Sequence, residues 1–307
     1  MALYLTILGS SSATPTLHRH PSALLLKSDK KKDYFLIDCG EGTQILMRQA
    51  GIRMQYISRI FISHLHGDHF FGLIGFIFTQ NLLGRKKDLH IYAHKPLEKI
   101  IRMQLEVEKT ILDYSLIFHP IDTRKKKKFL LYEDTTMEIS SFPLLHSIPA
   151  NGFLFKEKGR KKLISKEFIA QYSPTVKQIT EIQKGSNFTD EKGNIIFNKD
   201  IIYFSDNHKL FAYCSDTAYT ETILPYIEGV DLLFHEATFM EDLAHIATEK
   251  YHSTTKQAAK IAKLAQVKTL LIGHYSARYK DIDPMIEEAK TVFPNTLGAF
   301  EGSTLKI

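Results

Sequence analysis

The sequence predicts an α/β domain in which buried strands alternate with helices. Short apolar runs end repeatedly in Gly, Asp or His and then give way to polar or helical segments. Helical patterns stand between several of these runs, which indicates layers of helix packed on sheet. The runs that we interpret as buried strands are Leu3–Leu8, Tyr34–Ile37, Ile60–Ile62, Phe211–Cys214 and Leu270–Gly273.

Two helices are predicted from local signals in the C-terminal part of the chain. Ser253 and Thr254 offer capping side chains ahead of an Ala- and Leu-rich segment that runs from about residue 256 to residue 266. Asp283 is predicted to cap the second helix, and Pro284 follows it in the first turn, where the missing N–H of proline is not needed. Both helices continue the alternation with strands.

Composition excludes several classes of protein. The chain has 307 residues, of which 44% are hydrophobic and 24% charged, so it is not a disordered segment. No apolar run approaches the ~20 residues that span a bilayer, and the N-terminal residues indicate a strand rather than a signal peptide. The only cysteines, Cys39 and Cys214, exclude a disulfide framework and a Cys-based zinc cluster. We therefore expect a cytoplasmic protein without a membrane segment.

The positive charge is concentrated in one stretch. The net charge is +6, and residues 156–200 hold ten Lys and Arg against six Asp and Glu. This stretch also interrupts the α/β alternation and contains a turn at Gly193-Asn194. We interpret it as a basic insertion that projects from a single domain of residues 1–307. The shorter basic runs at 30–32 and 124–128 are predicted to be solvated loop tips.

The segment His64-Leu65-His66-Gly67-Asp68-His69 holds four potential metal ligands directly after a predicted strand. Zinc sites without thiolates are built from imidazole and carboxylate ligands. In an extended loop His64 and His66 point the same way, and Asp68 and His69 follow on a tightening turn. The spacing therefore predicts that the first pair binds one metal ion and the second pair an adjacent one.

Three more candidate ligands follow other predicted strands, namely His146, Asp216 and His274. An α/β sheet presents its functional groups just beyond the carboxyl ends of its strands, where these residues stand. One carboxylate has two oxygens, so Asp216 can bridge two ions. The remaining histidines, including His94, have no such context, and we assign them structural or surface roles.

The His-x-His-x-Asp-His segment resembles the metallo-β-lactamase superfamily, and further motifs are similar to the ribonuclease Z family within it, which processes the 3′ ends of tRNA. The resemblance runs from residue 5 to about residue 279. It implies a four-layer αββα sandwich with a two-zinc site at one edge of the sheets. The motifs that carry it are Leu8–Pro15, Asp38–Gln44, His235–Thr238, His252–Thr254 with Gln257-Ala258, and His274–Tyr279.

The resemblance also implies roles for single residues. His252 would act as the proton donor or its relay, paired with Glu236, while Asp68 would orient the nucleophile as well as bind metal. Ser276 and Arg278 would hold the scissile phosphate, unless Arg278 forms a surface salt bridge instead. The implied ligands are His64, His66 and His146 for one zinc ion and Asp68, His69 and His274 for the other, with Asp216 between them.

The implied function is that of a zinc-dependent endoribonuclease with two Zn²⁺ per subunit. A metal-bridging hydroxide would remove the 3′ trailer from precursor tRNA, leaving a 3′-hydroxyl on the tRNA and a 5′-phosphate on the trailer. Residues 156–200, including the region around Arg160, match the tRNA-binding arm of the family in position, and a homodimer is implied. The alternatives are a small-molecule phosphodiesterase of the same superfamily and a metal-free binding scaffold.

Overall fold

The computed structural model describes residues 2–206 and 208–307, with the side chains of residues 160, 161, 205 and 206 left undescribed. The chain forms two compact units. The first consists of Met1–Glu157 together with Lys209–Ile307, and the second consists of Lys158–His208. The second unit thus extends beyond Asp200, where the predicted insertion ends.

The N-terminal part of the first unit alternates strands and helices and then continues as strands alone. Its elements are β1 (Leu3–Gly9), β2 (Ala23–Ser28), β3 (Tyr34–Ile37), α1 (Thr43–Gln49), β4 (Ile57–Phe61), α2 (Gly72–Leu82), β5 (Leu89–His94), α3 (Pro96–Val107), β6 (Leu116–Ile121), β7 (Phe129–Glu133), β8 (Met137–Leu144) and β9 (Ala150–Glu157). The basic runs at 30–32 and 124–128 lie between strands, as predicted.

The second unit contains short strands and helices around a small apolar cluster. Thr175 and Gln178 form a reciprocal capping box that starts one of its helices. Gly193, at the predicted turn, has a φ of +84°, a conformation that favours glycine. The elements are β10 (Arg160–Ile164), α4 (Lys166–Tyr172), α5 (Val176–Lys184), β11 (Phe188–Thr189), β12 (Ile195–Ile196), α6 (Asn198–Ile201) and β13 (Ile202–Asp206).

The C-terminal part of the first unit returns to alternating strands and helices. Thr254 caps α9 through a capping box with Gln257, as the sequence signals predict. Asp283, by contrast, is the first residue of α10 and not its cap. The elements are β14 (Lys209–Cys214), α7 (Leu224–Ile227), β15 (Leu232–Glu236), α8 (Ala244–Glu249), α9 (Thr255–Leu264), β16 (Thr269–Gly273), α10 (Asp283–Lys290), β17 (Thr296–Gly298) and β18 (Thr304–Lys306).

Within the described residues, the first unit contains two seven-stranded sheets. The strand order is β18-β1-β2-β3-β4-β5-β6 in one sheet and β17-β16-β15-β14-β9-β8-β7 in the other. Leu3 and Leu5 of β1 share an apolar cluster with Phe153 of β9 and Phe211 of β14, so this cluster joins the two sheets. Side chains of a strand alternate between its faces, which leaves the other face of each sheet for helices.

Helices cover the outer face of each sheet. Leu25 of β2 and Leu36 of β3 pack in a second cluster with Phe76 of α2. Ala258 of α9 and Met285 of α10 belong to the cluster that contains the second sheet. The order of layers is therefore helix, sheet, sheet, helix, and the predicted αββα sandwich is confirmed. Among the described residues, none of the helices has the length and apolar character needed to cross a membrane.

Candidate metal centre

The seven predicted ligands all belong to the first unit, and each follows a strand. His64 and His66 lie in the loop after β4, and the short 3₁₀ helix Gly67–His69 supplies Asp68 and His69. His146 follows β8, Asp216 follows β14 and His274 follows β16. The first four come from one sheet and the last three from the other.

One group of ligand atoms is formed by three histidines and one carboxylate. Nδ1 of His66 lies 3.1 Å from Nε2 of His64 and 3.2 Å from Nε2 of His146. Oδ2 of Asp216 lies 3.6 Å from Nε2 of His64 and 3.9 Å from Nε2 of His146. Tetrahedral zinc with bonds of about 2.0–2.1 Å separates neighbouring ligand atoms by roughly 3.3 Å. These four residues therefore fit a zinc ion.

The second group shares Asp216 with the first. Oδ2 of Asp68 lies 3.3 Å from Nε2 of His69 and 3.5 Å from Nε2 of His274. Oδ1 of Asp216 lies 3.3 Å and 3.2 Å from the same two nitrogens. Both nitrogens are buried and have no hydrogen-bond partner among the described residues. Since a buried polar atom without a partner is costly, this arrangement fits a bound cation.

Four of the ligand histidines bind a neighbour through Nδ1 and thereby keep Nε2 for the centre. Such hydrogen bonds fix the tautomer and the orientation of a metal-binding imidazole. The sequence predicts the ligands but not these partners, because each partner except Ser63 is distant in the chain. The pairs are His64 with Ser63 Oγ at 3.0 Å, His69 with Asp38 Oδ2 at 2.8 Å, His146 with the Tyr251 carbonyl at 2.9 Å and His274 with Thr238 Oγ1 at 3.0 Å.

Asp38 ties the ligand loop to both sheets. Its fully buried carboxylate accepts hydrogen bonds from the backbone N–H of Ser63 at 2.7 Å and from the Tyr213 hydroxyl at 2.6 Å, besides that from His69. Gly40 lies against the same loop, and a Cβ there would stand 2.6 Å from the Asp68 carbonyl oxygen. Only glycine permits this close approach, which explains one glycine of the Asp38–Gln44 motif.

The charges of the centre favour a cation. Burial alone would raise the pKa of Asp216, but the imidazoles of His274 and His69 hold it well below its ordinary value. Burial likewise opposes protonation of His69, yet the carboxylates of Asp216, Asp68 and Asp38 raise its pKa well above the ordinary value. Negative charge in this buried cluster therefore stabilises a positive partner, whether a proton or a metal ion.

His252 and Glu236 form a hydrogen-bonded pair beside the centre. Nδ1 of His252 donates to Oε1 of Glu236 at 2.9 Å, and Glu236 also accepts from the N–H groups of Thr217 at 3.1 Å and Ser253 at 3.0 Å. Burial would lower the pKa of His252, but the Glu236 carboxylate raises it to about 9. A ring nitrogen of His252 lies within 4.8 Å of ligand atoms of Asp216 and His274. The pair can therefore present a proton at the edge of the centre.

A cavity of about 470 Å³, here called the first cavity, adjoins these residues. Arg278 lies with its guanidinium 5.0 Å from the centre of the Phe239 ring, and its Nε donates to Ser276 Oγ at 3.2 Å. It forms no ion pair with any described residue, so the predicted alternative of a surface salt bridge is not observed. The cavity is lined by Ser12–Thr14, His66, His146, Ser147, Thr238, Phe239, Glu249–His252, Ser276 and Ala277.

The predicted binding residue at position 160 belongs to the second unit. Arg160 is the first residue of β10, and its side chain lies outside the described part of the chain. In the same unit, five exposed lysines form no ion pair with the residues that the structure describes. These are Lys162, Lys166, Lys177, Lys192 and Lys199.

Two family models match parts of the chain. The model described as anti-Pycsar protein Apyc1 matches residues 3–165, and that described as a beta-lactamase superfamily domain matches residues 201–275. Among solved structures, human tRNase Z, short form, has a TM-score of 0.72 and 25% identity, with 98% of each chain covered. The metallo-beta-lactamase fold protein YhfI from Bacillus subtilis has a TM-score of 0.69 at 19% identity, which supports the fold alone.

Curated relatives match almost the whole chain. The ribonuclease Z of Bacteroides fragilis is 43% identical over 303 residues, which cover 99% of this chain and 98% of that protein. The ribonuclease Z of Cytophaga hutchinsonii is 41% identical over 308 residues, covering 100% and 97%. Identity at this level over full length, on an αββα sandwich with a clustered His and Asp site, establishes the family. The chain belongs to the ribonuclease Z family of the metallo-β-lactamase superfamily and is a metal-dependent endonuclease.

Proposed function

We propose that this protein is a zinc-dependent endoribonuclease that removes the 3′ trailer from precursor tRNA. The observation that carries the proposal is the position of Asp216, whose two oxygens face two sets of histidines, next to the His252–Glu236 pair. Two cation sites beside a proton donor are the parts that hydrolysis of a phosphodiester requires. The relatives named ribonuclease Z and the human structure named tRNase Z support RNA, and tRNA in particular, as the substrate.

The proposed ligands would hold two zinc ions, one in each set that contains Asp216. Zinc bound there would make a water molecule nucleophilic at neutral pH and offset charge on the phosphoryl oxygens. Asp68 orients the attacking oxygen, and Ser276 and Arg278 hold the scissile phosphate through hydrogen bonds. An oxygen from water becomes bonded to phosphorus, and the bond from phosphorus to the 3′ oxygen of the tRNA breaks.

His252 is the proposed general acid of this reaction. Its imidazolium, stabilised by Glu236, gives a proton to the departing 3′ oxygen, which becomes the 3′-hydroxyl of the tRNA. The phosphate stays on the 5′ end of the trailer with the oxygen of the water. The proton that the water loses passes to solvent, and His252 regains a proton from solvent, so atoms and charge balance. A positioned acid contributes about 10²–10⁴-fold to such a rate. Glu236 acts through His252 and is a positioning residue in this scheme.

The second unit is the proposed tRNA-binding element. Its exposed lysines without ion pairs among the described residues, such as Lys166, Lys177 and Lys192, are free to neutralise phosphates. Folded RNA is recognised mainly through phosphates and 2′-hydroxyls, which such a surface can contact. The homodimer that the resemblance implies and the cytoplasmic location that the composition predicts stay predictions.

The test is cleavage of a labelled precursor tRNA that carries a 3′ trailer, with the product ends mapped. We expect the wild type to cut after the discriminator nucleotide and to leave a 3′-hydroxyl. Asp68→Ala should lower the rate by about 10³-fold or more, since it removes both a metal ligand and the group that orients the nucleophile. If the protein hydrolyses a small phosphodiester but cuts no tRNA, the phosphodiesterase alternative replaces this proposal.

A further inference from the structure

We propose that a second cavity, next to the metal centre, binds a nucleotide of the trailer. The inference rests on the proposed function and adds a substrate subsite to it. This second cavity has a volume of about 720 Å³, within the range of about 300–1,000 Å³ that is usual for sites of small ligands. Its lining comes entirely from the first unit: Leu65, His94, Lys95, Pro96, Pro120–Arg124, Ile148 and Pro149.

The two cavities lie on either side of the same two segments of chain. Leu65 lines the second cavity, whereas the next residue, His66, lines the first. The segment after β8 behaves in the same way, because His146 lines the first cavity and Ile148 the second. Since His66 and His146 are proposed ligands of one ion, both cavities border the segments of chain that would hold that ion.

The chemistry of the reaction assigns the second cavity to the trailer. The leaving 3′ oxygen receives its proton from His252, so the tRNA side of the cleaved bond lies at His252, which lines the first cavity. The phosphate remains on the trailer and therefore faces away from that acid. His252 is absent from the lining of the second cavity. We therefore expect the trailer to extend from the metal centre, away from His252, towards the second cavity.

The walls of the second cavity suit a base, and its rim suits phosphate. Leu65, Ile148 and Pro149 provide apolar surface, against which the face of any base can pack by burying apolar area. At the rim, Lys95 is exposed and has no ion pair among residues 2–206 and 208–307. It stands at the N-cap of the twelve-residue helix α3, whose free N–H groups add positive potential.

His94 gives the cavity a defined hydrogen-bond acceptor. The amide of Asn151 donates to the Phe142 carbonyl at 3.3 Å, so its oxygen is the atom that lies 2.7 Å from Nε2 of His94. That nitrogen must then carry the proton, and Nδ1 keeps a lone pair. His94 is 5% exposed, and its Nδ1 bonds to none of the described residues. An exocyclic amino group or a 2′-hydroxyl of a nucleotide in the cavity can donate a hydrogen bond to such an acceptor.

Photo-cross-linking locates the trailer directly. Zinc-loaded wild-type protein is irradiated with a precursor tRNA that has a non-hydrolysable 3′-methylene linkage at the cleavage site and 4-thiouridine at the first, second or third trailer position. We expect cross-linked peptides from residues 94–96, 120–124 or 148–149 for at least one position. Cross-links confined to other peptides would overturn the inference.

Kinetics with trailers of one to five nucleotides provide the second test. We expect kcat/KM of the wild type to rise once the trailer is long enough to enter the cavity. Thr123→Trp fills the cavity from an exposed position. This change and Lys95→Ala should each reduce the increase in kcat/KM with trailer length by at least about fivefold. Lys99→Ala is the matched control, because it removes the same charge from α3 at an exposed residue that does not line the cavity.

The outcomes separate this inference from the proposed function. If the wild type cuts precursor tRNA but trailer length has no effect, or if Lys99→Ala acts like Lys95→Ala, the subsite is wrong and the function stands. If the wild type cuts no precursor at all, the proposed function itself fails.

Discussion

The two compact units of this protein differ in what their sequences build: large apolar clusters in the first unit and an exposed, lysine-rich surface in the second. The first has two large apolar clusters that join sheets and helices, and every proposed metal ligand is attached to a strand that these clusters fix. The second has one small cluster and an exposed, lysine-rich surface. Ligand atoms must be placed to within a fraction of an ångström, whereas phosphates in RNA are attracted over a longer range.

We therefore expect the two units to differ in how well their functions tolerate small shifts of structure. In the first unit a shift of one strand would move a ligand, as the 3.1–3.9 Å separations around His66 and Asp216 show. In the second unit the proposed RNA-binding surface of separate lysines would survive small rearrangements, because each lysine contributes its charge nearly independently. Three experiments test whether the contrast is real.

Removing charge from the second unit should impair precursor tRNA much more than a small phosphodiester. We expect Lys166, Lys177 and Lys192 replaced together by Ala to lower kcat/KM for precursor tRNA by about 10²-fold at moderate salt and to flatten its salt dependence. The triple change of Lys126, Lys127 and Lys128 to Ala removes the same charge from a loop of the first unit and serves as control. Equal losses on both substrates would show that the lysines support the metal centre instead.

Cavities in the two cores should destabilise different parts of the chain. Phe153→Ala removes a fully buried ring from the cluster between the sheets and should cost about 3–5 kcal/mol of unfolding free energy. Ile182→Ala acts on the small cluster of the second unit, where we expect faster hydrogen exchange confined to residues 158–208. Mass-resolved hydrogen exchange measures both. If Ile182→Ala raises exchange throughout the first unit, the units unfold together and the contrast fails.

A surface ion pair of the first unit should have a small and pH-dependent effect. Asp231 accepts hydrogen bonds from Lys268 Nζ at 2.7 Å and from the N–H of Leu210 at 2.9 Å. Burial would raise the pKa of Asp231, but these bonds and Lys209 lower it. Its stabilisation is therefore present above the unfolded pKa of about 3.9 and is lost as the pH falls through the lower folded pKa.

We expect Asp231→Asn to cost about 1 kcal/mol in urea unfolding at pH 7 and progressively less below about pH 4. Asp242→Asn is the control, since Asp242 is exposed and takes part in no side-chain bond with the described residues. A cost that stays constant with pH would show that the charge of Asp231 is not what stabilises the fold.

The sequence predicts the layers and the ligands because their signals are local. Apolar runs with punctuating His or Asp indicate the ends of β4, β14 and β16, and the spacing of His64, His66, Asp68 and His69 indicates a metal site. The resemblance adds the pairing of His252 with Glu236, and the structure shows this pair hydrogen bonded at 2.9 Å. Its chemical role stays a proposal.

The hydrogen-bond partners of the site residues could not be predicted, because they depend on contacts between distant parts of the chain. Nothing near His274 indicates that Thr238 binds its Nδ1, and nothing near His94 indicates that Asn151 fixes its tautomer. The second unit shows another limit of prediction from sequence, which is the narrow apolar face of its helix α5. Only Ile182 of α5 is buried, so the helix lacks a broad apolar stripe, and the informative signal is instead the capping pair Thr175 and Gln178.

Because the proposed ligands come from both sheets, metal ions bound to them would stabilise the fold as well as support catalysis. His64, His66, Asp68 and His69 extend from one sheet, while His146, Asp216 and His274 extend from the other. Any ion held by both groups is a cross-link between the two halves of the sandwich, comparable to a disulfide but made only after the sheets have met. Metal supply and folding would thereby be linked: without the proposed ions the chain would lose its catalytic centre and also the cross-link between the sheets at that edge.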